Sequence, residues 1–281
     1  MIMVIKNSET NELLLNSIKI PEDPTLLAKM LYEIAEDRRD AYVKDVQENG
    51  QLSVEEANNF IVDYLSKKHK YEKITDELLD KKRIIECLRI VCCNELGIDP
   101  ESVPFYLGDG ENDSAILSSI FASTIDFSCF KFNKDKICSL IAINMNFFVS
   151  ANAVDLIKVV AHEFGHVSQI VLNKNKKSYY NADPQKTVEK SSRLFDLQWA
   201  ASPNEKDADS YAYGKLTHFM VQAAKKGELN GVIFTNVLKT LTKMTESSIR
   251  HFVASVWFVA YKSKKIKSMK REYKNSDIER I

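Results

Sequence analysis

The chain has 281 residues, of which 44% are hydrophobic and 28% are charged, and its 39 basic side chains balance its 39 acidic ones. This composition is typical of a folded globular protein and argues against a disordered chain. A formal net charge of zero excludes a bulk attraction to nucleic acid or to an anionic membrane, so we expect neither as a partner.

The cysteines and the first twelve residues indicate the cellular compartment in which the protein is expected. The odd number of cysteines and the missing CxxC pairs are typical of free thiols in a reducing compartment (Cys87, Cys92, Cys93, Cys129 and Cys138). Residues 1–12 do not resemble a secretory signal, and the apolar run at residues 252–261 is about half of a membrane span. We therefore expect a cytoplasmic protein, with export by another route left open.

Residues 1–100 are predicted to form a mostly helical N-terminal region. Apolar residues recur at helical spacing after Asp23, and Ser53 to Glu56 has the form of a capping box. A later helical stretch ends at Gly97, which Pro100 follows closely. Residues 101–281 are assigned to a second domain.

That second domain begins with strand signals. The segments VPFYLG, AILSSIFAS, IDFSCFKFN and CSLIAINMNFF lie between Val103 and Phe148, and they are rich in β-branched and aromatic residues. They predict three or four short strands, the last of them at Ser139 to Phe147.

Helical signals return after these strands. Asn152 is placed to cap a helix over Ala153 to Leu172. Another helix is predicted to begin at Ser202-Pro203 and to run to about Lys226. Further helices are predicted at 187–199, 232–244 and 247–262. The fold class is therefore α+β.

The helix at 153–172 carries the motif HExxH as His162-Glu163-Phe164-Gly165-His166. Residues four apart on a helix lie about 40° apart around its axis, so both histidines can bind one ion through neutral imidazole nitrogens. Glu163 lies beside that face, where it can take a proton from a water on the metal and later pass it to a leaving amine. The competing interpretation is a pair of core histidines with a buried glutamate, which would be costly if they were unpaired.

One more protein ligand is expected. The downstream candidates are one histidine and several acidic residues (His218, Asp183, Glu189, Asp196, Glu205, Asp207 and Asp209). Glu205 and Asp209 lie four apart beside the small residues Ala208 and Ala212, so their helix can pack closely on another. Glu205 can then reach the ion, while Asp209 accepts a hydrogen bond from a ligand histidine. Glu205 is also placed to close a capping box with Ser202, which is the competing role for this carboxylate.

The combination HEFGH…NEKDADSYA resembles the zincin metallopeptidases of the gluzincin type. It is similar to the compact ImmA/IrrE-like gluzincins, which pair HExxH with an E-x-x-A-[DN]-x-x-A helix, and the likeness covers about residues 139–214. Gln169 and Leu172 stand where metzincins carry Gly and His, which excludes that class. The resemblance implies a zincin-like catalytic domain at 101–281, with a small mixed sheet, an active-site helix and a glutamate helix.

The same resemblance implies one Zn²⁺ per chain, bound by His162, His166 and Glu205, with Asp209 supporting His162. We therefore expect a zinc-dependent endopeptidase that acts on a protein or peptide substrate, with Glu163 as general base and acid. Five side chains are candidate transition-state stabilisers (His218, Tyr211, Tyr213, Tyr179 and Tyr180).

An extended substrate is expected to add to the edge of the sheet, for which residues 139–148 are the candidate strand. Two alternatives remain open. One is a zinc-stabilised regulatory or protein-binding module with little hydrolytic activity. The other is a helical protein without a metal, in which the motif arose by chance.

Overall fold

The computed structural model describes residues 24–67, 69–108, 121–127, 137–172 and 203–226. These residues form six α-helices, one 3-10 turn and three β-strands: α1 Pro24–Asn49, α2 Val54–Ser66, α3 Ile74–Leu96, the turn Pro100–Ser102, β1 Phe105–Gly108, β2 Ala122–Asp126, β3 Ser139–Asn144, α4 Met145–Ser150, α5 Ala153–Leu172 and α6 Pro203–Lys225. The described part of the chain is therefore mixed α+β, which confirms the predicted class. Tyr179, Tyr180 and the predicted helices at 187–199, 232–244 and 247–262 lie outside the described residues.

Three predicted helix ends are confirmed by their hydrogen bonds. Ser53 and Glu56 form a reciprocal capping box at the start of α2. Gly97 ends α3 in the left-handed conformation at φ 65°, which glycine adopts without steric cost. Asn152 Oδ1 accepts hydrogen bonds from the backbone amides of Val154 and Asp155, both at 3.0 Å, at the start of α5.

The three strands form one mixed sheet in the order β1-β3-β2. β1 runs parallel to β3, with Phe105 opposite Ile141. β2 runs antiparallel to β3, with Thr124 also opposite Ile141. The prediction that residues 139–148 form the sheet edge is therefore wrong, because β3 lies in the centre and β2 is an edge of the described sheet.

Two strand boundaries also differ from the prediction. β3 ends at Asn144 instead of continuing to Phe147, because the Asn144 side chain accepts hydrogen bonds from the amides of Asn146 and Phe147 and so caps α4. β2 runs without a break through Ala122–Asp126, where the sequence suggested two separate strands. Pairing with β3 holds this segment in one extended conformation.

β3 is buried on both of its faces, which explains its continuous apolar sequence. Leu140 belongs to a small cluster with Leu31 and Ala35 of α1. Ile141 and Ile143 belong to the larger hydrophobic core. Because alternate side chains of a strand point to opposite faces, the sheet lies between α1 on one side and the helices of the larger core on the other.

The larger core joins the helical region before residue 100 to the helices that follow the sheet. It contains Ile61 of α2, Leu88 of α3, Phe164 of α5 and Phe219 of α6, all fully buried. α3 packs on α5, and α2 packs on α6. The division of the chain at residue 100 stays a prediction, but in the described residues the two parts share one hydrophobic core.

Two smaller expectations concern the cysteines and the membrane. The described cysteines are free thiols, and three of them are buried (Cys87, Cys92 and Cys93). Burial raises the pKa of Cys87 and of Cys92 to about 12. Among the described helices, none is both long and apolar enough to span a lipid bilayer.

Candidate metal centre

The HExxH motif lies in the middle of α5, which is the most thoroughly buried helix around the site. Its apolar residues Val160, Ala161 and Phe164 are fully buried against the sheet and α3. His162 and His166 each keep about a fifth of their side-chain surface exposed, and both face Glu205 of α6. The sequence therefore buries one face of α5 in the core and presents both imidazoles on another.

α6 approaches α5 very closely at one point. A Cβ atom placed on Gly165 would lie 2.5 Å from Ala208 Cα, a separation that real Cβ atoms do not show. Ala208 and Ala212 are both fully buried. The small residues of the two helices therefore allow the side chains on either side of this contact to meet.

Three potential ligands converge between α5 and α6. His162 Nε2 lies 3.2 Å from Glu205 Oε2, and His166 Nε2 lies 3.5 Å from Glu205 Oε1. One ligand atom from each of these side chains lies within 4.8 Å of the other two. Both carboxylate oxygens of Glu205 face imidazoles, so this side chain is directed at the histidines.

Asp209 fixes the orientation of His162. Its Oδ1 lies 2.9 Å from His162 Nδ1. Because a carboxylate only accepts hydrogen bonds, Nδ1 carries a proton and Nε2 is the nitrogen that faces Glu205. Burial lowers the pKa of His162, but the hydrogen bonds to Asp209 and Glu205 outweigh burial and raise that pKa to about 10.

Gln169 lies against the other histidine. Its Oε1 lies 3.1 Å from His166 Nδ1, and its Nε2 donates a hydrogen bond to the Asn204 carbonyl oxygen at 2.7 Å. In the sequence, Gln169 stands out only as a departure from metzincins, and its contact with His166 was not predicted. Gln169 lies three residues after His166, and side chains three apart on a helix are neighbours, so this spacing could have predicted the contact.

Glu163 is buried, with 5% of its surface exposed. Thr124 of β2 donates a hydrogen bond to Glu163 Oε2 at 2.7 Å. Burial raises the pKa of Glu163, while the nearby imidazoles and the Thr124 hydroxyl oppose that shift. The Thr124 contact was missed because 39 positions separate the two residues and no local pattern connects them.

The remaining candidates lie elsewhere or outside the described residues. His218 is exposed on α6, 13 positions after Glu205 (218 − 205), which is roughly 20 Å along a helix. The Tyr211 hydroxyl donates to Glu95 Oε2 at 3.3 Å. Tyr213 is 47% exposed. Asp207 is also exposed on α6, and the acidic candidates at 183, 189 and 196 lie outside the described residues.

The arrangement at His162, His166 and Glu205 calls for a cation. Hydrogen-bond acceptors occupy Nδ1 of each histidine, so Nε2 of each ring faces the Glu205 carboxylate. Without a metal, a proton on His162 Nε2 lies between that ring and the carboxylate, in line with the raised pKa of about 10. The three side chains could instead hold a metal ion in the place of this proton.

Comparisons with known proteins were made at the level of families, sequences and structures. Protein-family models, curated proteins and solved structures were searched, and none of the three searches found a match to this chain. The chemistry of the site is therefore inferred from its own residues and distances.

Proposed function

We propose that this chain is a zinc-dependent endopeptidase of the gluzincin type, with a zincin-like arrangement of sheet, α5 and α6. The observation that supports this most strongly is the convergence of His162, His166 and Glu205, with Nδ1 of each histidine already engaged. A glutamate between the two histidines, Glu163, is the further requirement of metallopeptidase chemistry.

The ligand types favour zinc. His162 Nε2 and His166 Nε2 lie 3.2 and 3.5 Å from different oxygens of Glu205, so both imidazoles and the carboxylate face one point. Two imidazoles and one carboxylate also form the ligand set of catalytic zinc sites, which keep one position open for water or substrate.

Glu163 is the proposed general base. A bound Zn²⁺ would supply Lewis acidity, which activates both water and the peptide carbonyl. Thr124 engages Oε2 of Glu163, which leaves Oε1 to accept the proton of the attacking water. Burial raises the pKa of Glu163 above its ordinary value, which suits a group that takes a proton and later returns it to the leaving amine.

The proposed substrate is a protein or peptide in an extended conformation. β2 is an edge strand of the described sheet, and its Thr124 contacts the proposed base. A peptide that pairs with β2 on the side away from β3 would run past Glu163 and the metal ligands. We propose a cytoplasmic location and neither nucleic acid nor membrane as partner, on the basis of the sequence. Tyr179, Tyr180 and Tyr213 remain the proposed transition-state donors, because Tyr211 is bonded to Glu95 and His218 lies far along α6.

Metal analysis and peptide cleavage test this proposal together. We expect about one zinc per chain in the purified protein and cleavage in a peptide library, with Glu205→Gln losing most of the zinc. Glu163→Gln should keep the zinc and lose at least about 100-fold in cleavage rate, because the general base is gone. Glu33→Gln, an exposed position on α1, is the matched control and should resemble the wild type.

The outcomes separate three functions. Zinc with no cleavage of any peptide would favour a zinc-stabilised regulatory or protein-binding module. Absence of zinc in both wild type and Glu205→Gln, even after zinc is added, would reject the metal site and leave the chance motif.

A further inference from the structure

We propose that Gln169 is a positioning residue that fixes the ring orientation of His166 and connects this ligand to the start of the helix that carries Glu205. The inference rests on the proposed metal site. Gln169 has no assigned role in the motif, which ends at His166. What singles it out is a pair of hydrogen bonds that leads from His166 to the backbone of α6.

The direction of these hydrogen bonds is determined at the Asn204 end. A backbone carbonyl oxygen can only accept, so the amide nitrogen of Gln169 must face Asn204. The amide oxygen of Gln169 therefore faces His166 Nδ1, which must carry a proton to donate. A neutral His166 ring then has its lone pair on Nε2, the nitrogen that faces Glu205.

The two hydrogen bonds of Gln169 are shielded from water and lie next to the third proposed ligand, Glu205. The residue is 8% exposed, so water competes little for either hydrogen bond. Asn204 directly precedes Glu205 in the first turn of α6. A single amide side chain thus holds the second histidine and the backbone next to the third ligand in one arrangement.

Gln169 and Asp209 serve the two histidines in chemically different ways. Asp209 holds His162 with a carboxylate, whereas Gln169 holds His166 with a neutral amide. A second carboxylate at position 169 would place another negative charge beside a histidine that already faces the Glu205 carboxylate. The neutral amide fixes the tautomer without that charge, and its NH₂ group gives a hydrogen bond to Asn204 that a carboxylate cannot give.

Two substitutions separate the two hydrogen bonds. Gln169→Met keeps an unbranched side chain of similar length and removes both hydrogen bonds, while Gln169→Glu keeps the acceptor for His166 and removes the donor to Asn204. Gln222→Met is the matched control, because it makes the same change near the other end of α6. One readout is the set of ring-nitrogen signals of His166 in long-range ¹H–¹⁵N spectra of the metal-free protein at about pH 8, where an ordinary imidazole is neutral. Metal must be absent, because an ion on Nε2 would by itself leave the ring proton on Nδ1. The other readout is the zinc Kd from chelator competition.

The wild type and Gln222→Met are expected to show His166 protonated at Nδ1. Gln169→Met should lose this signature and weaken zinc binding by about 10–100-fold. Gln169→Glu should retain the signature. Unchanged His166 signals in Gln169→Met would overturn the proposal. Loss of the Nδ1 proton in Gln169→Glu would also overturn it, and this second variant provides the test if Gln169→Met does not fold. If the wild type binds no zinc, the endopeptidase proposal fails, while the metal-free spectra still decide the role of Gln169.

Discussion

Gly165 of α5 lies against Ala208 of α6 so closely that a side chain on Gly165 would stand 2.5 Å from Ala208 Cα and 3.1 Å from its carbonyl oxygen. Gly165 directly precedes His166, and Ala208 lies one turn after Glu205. The closest approach of the two helices is therefore next to the ligands. The separation of the helices at this point sets the distance from the imidazoles to the Glu205 carboxylate.

Gly165→Ala is expected to damage both the metal site and the fold. The added methyl group meets backbone atoms of Ala208, so α6 must move outward. Overpacking of this kind costs about 1–3 kcal/mol in the free energy of unfolding. Because the move separates Glu205 from the histidines, we expect zinc binding to weaken at least tenfold, measured by chelator competition beside a urea unfolding curve.

Gly214→Ala provides the control on the same helix. A Cβ atom at Gly214 meets nothing within 4 Å, so the substitution should stabilise α6 by up to about 1 kcal/mol. Zinc affinity should not change. Equal zinc affinity in the Gly165 and Gly214 variants would show that helix separation does not determine the site geometry.

The parts of the site that the sequence predicted are those with local signals. The spacing of His162 and His166 on an apolar helix, and the start of α6 at Pro203, both follow from residues within one or two turns. To predict that Glu205 lies opposite the histidines, one further observation was needed. Ala208 and Ala212 are small enough for their helix to pack closely on another.

The parts that were missed depend on long-range packing or on a local competition between structures. Thr124 reaches Glu163 only because β2 is the strand that lies beside α5, and no sequence signal determined the strand order. The strand ending at Asn144 was predicted too long, because the apolar residues of α4 read equally well as a strand. The capping bonds of Asn144 decide between these two structures, and they form only when the strand stops there.

Thr124→Val is expected to impair the proposed base without removing the metal. Valine has nearly the same shape and suits a strand, but it cannot donate to Glu163. A hydrogen bond to a carboxylate favours its charged form, so losing it raises the pKa of Glu163 further. The acidic limb of the kcat/KM profile should move to higher pH and kcat should fall about tenfold, while zinc content stays at the wild-type value.

Thr124→Ser is the matched variant for this prediction. Serine keeps the hydroxyl that donates to Glu163 and should restore most of the rate and the wild-type pH profile. If valine and serine give the same profile, the hydroxyl of Thr124 does not act on Glu163.

Lys81 of α3 is expected to stabilise the contact between the helical region before residue 100 and α4. Its side chain is 2% exposed, and Nζ donates to the Val149 carbonyl oxygen at the end of α4 and pairs with Glu77, each at 2.8 Å. Lys81→Met should destabilise the fold by about 1–3 kcal/mol, because it leaves these acceptors without their partner. Lys29→Met, at an exposed position on α1, should stay within about 0.5 kcal/mol of the wild type in the same urea unfolding experiment.

The fall in stability with rising pH above about pH 6.5 should disappear when zinc saturates the site, because the zinc-bound chain no longer holds the second proton of His162. The folded-state pKa of His162 is raised to about 10 from an ordinary value of 6.5, so the folded chain holds a proton that the unfolded chain has lost between these two values. With a chelator present, this contribution to stability is complete below about pH 6.5 and is lost as the pH rises to about 10, with a slope of at most about 1.4 kcal/mol per pH unit. The raised pKa of Glu163 acts in the same direction above its ordinary value of 4.5.

Zinc must displace the proton of His162 to bind Nε2, so zinc affinity should increase as the pH rises over the same range. Calorimetry in buffers of different ionisation enthalpy should therefore detect the release of about one proton per zinc near pH 8. Asp209→Asn removes the carboxylate that contributes most to raising this pKa, and it should flatten the pH dependence of stability in chelator. An Asp209→Asn variant with the wild-type slope would contradict the assignment of this proton to His162.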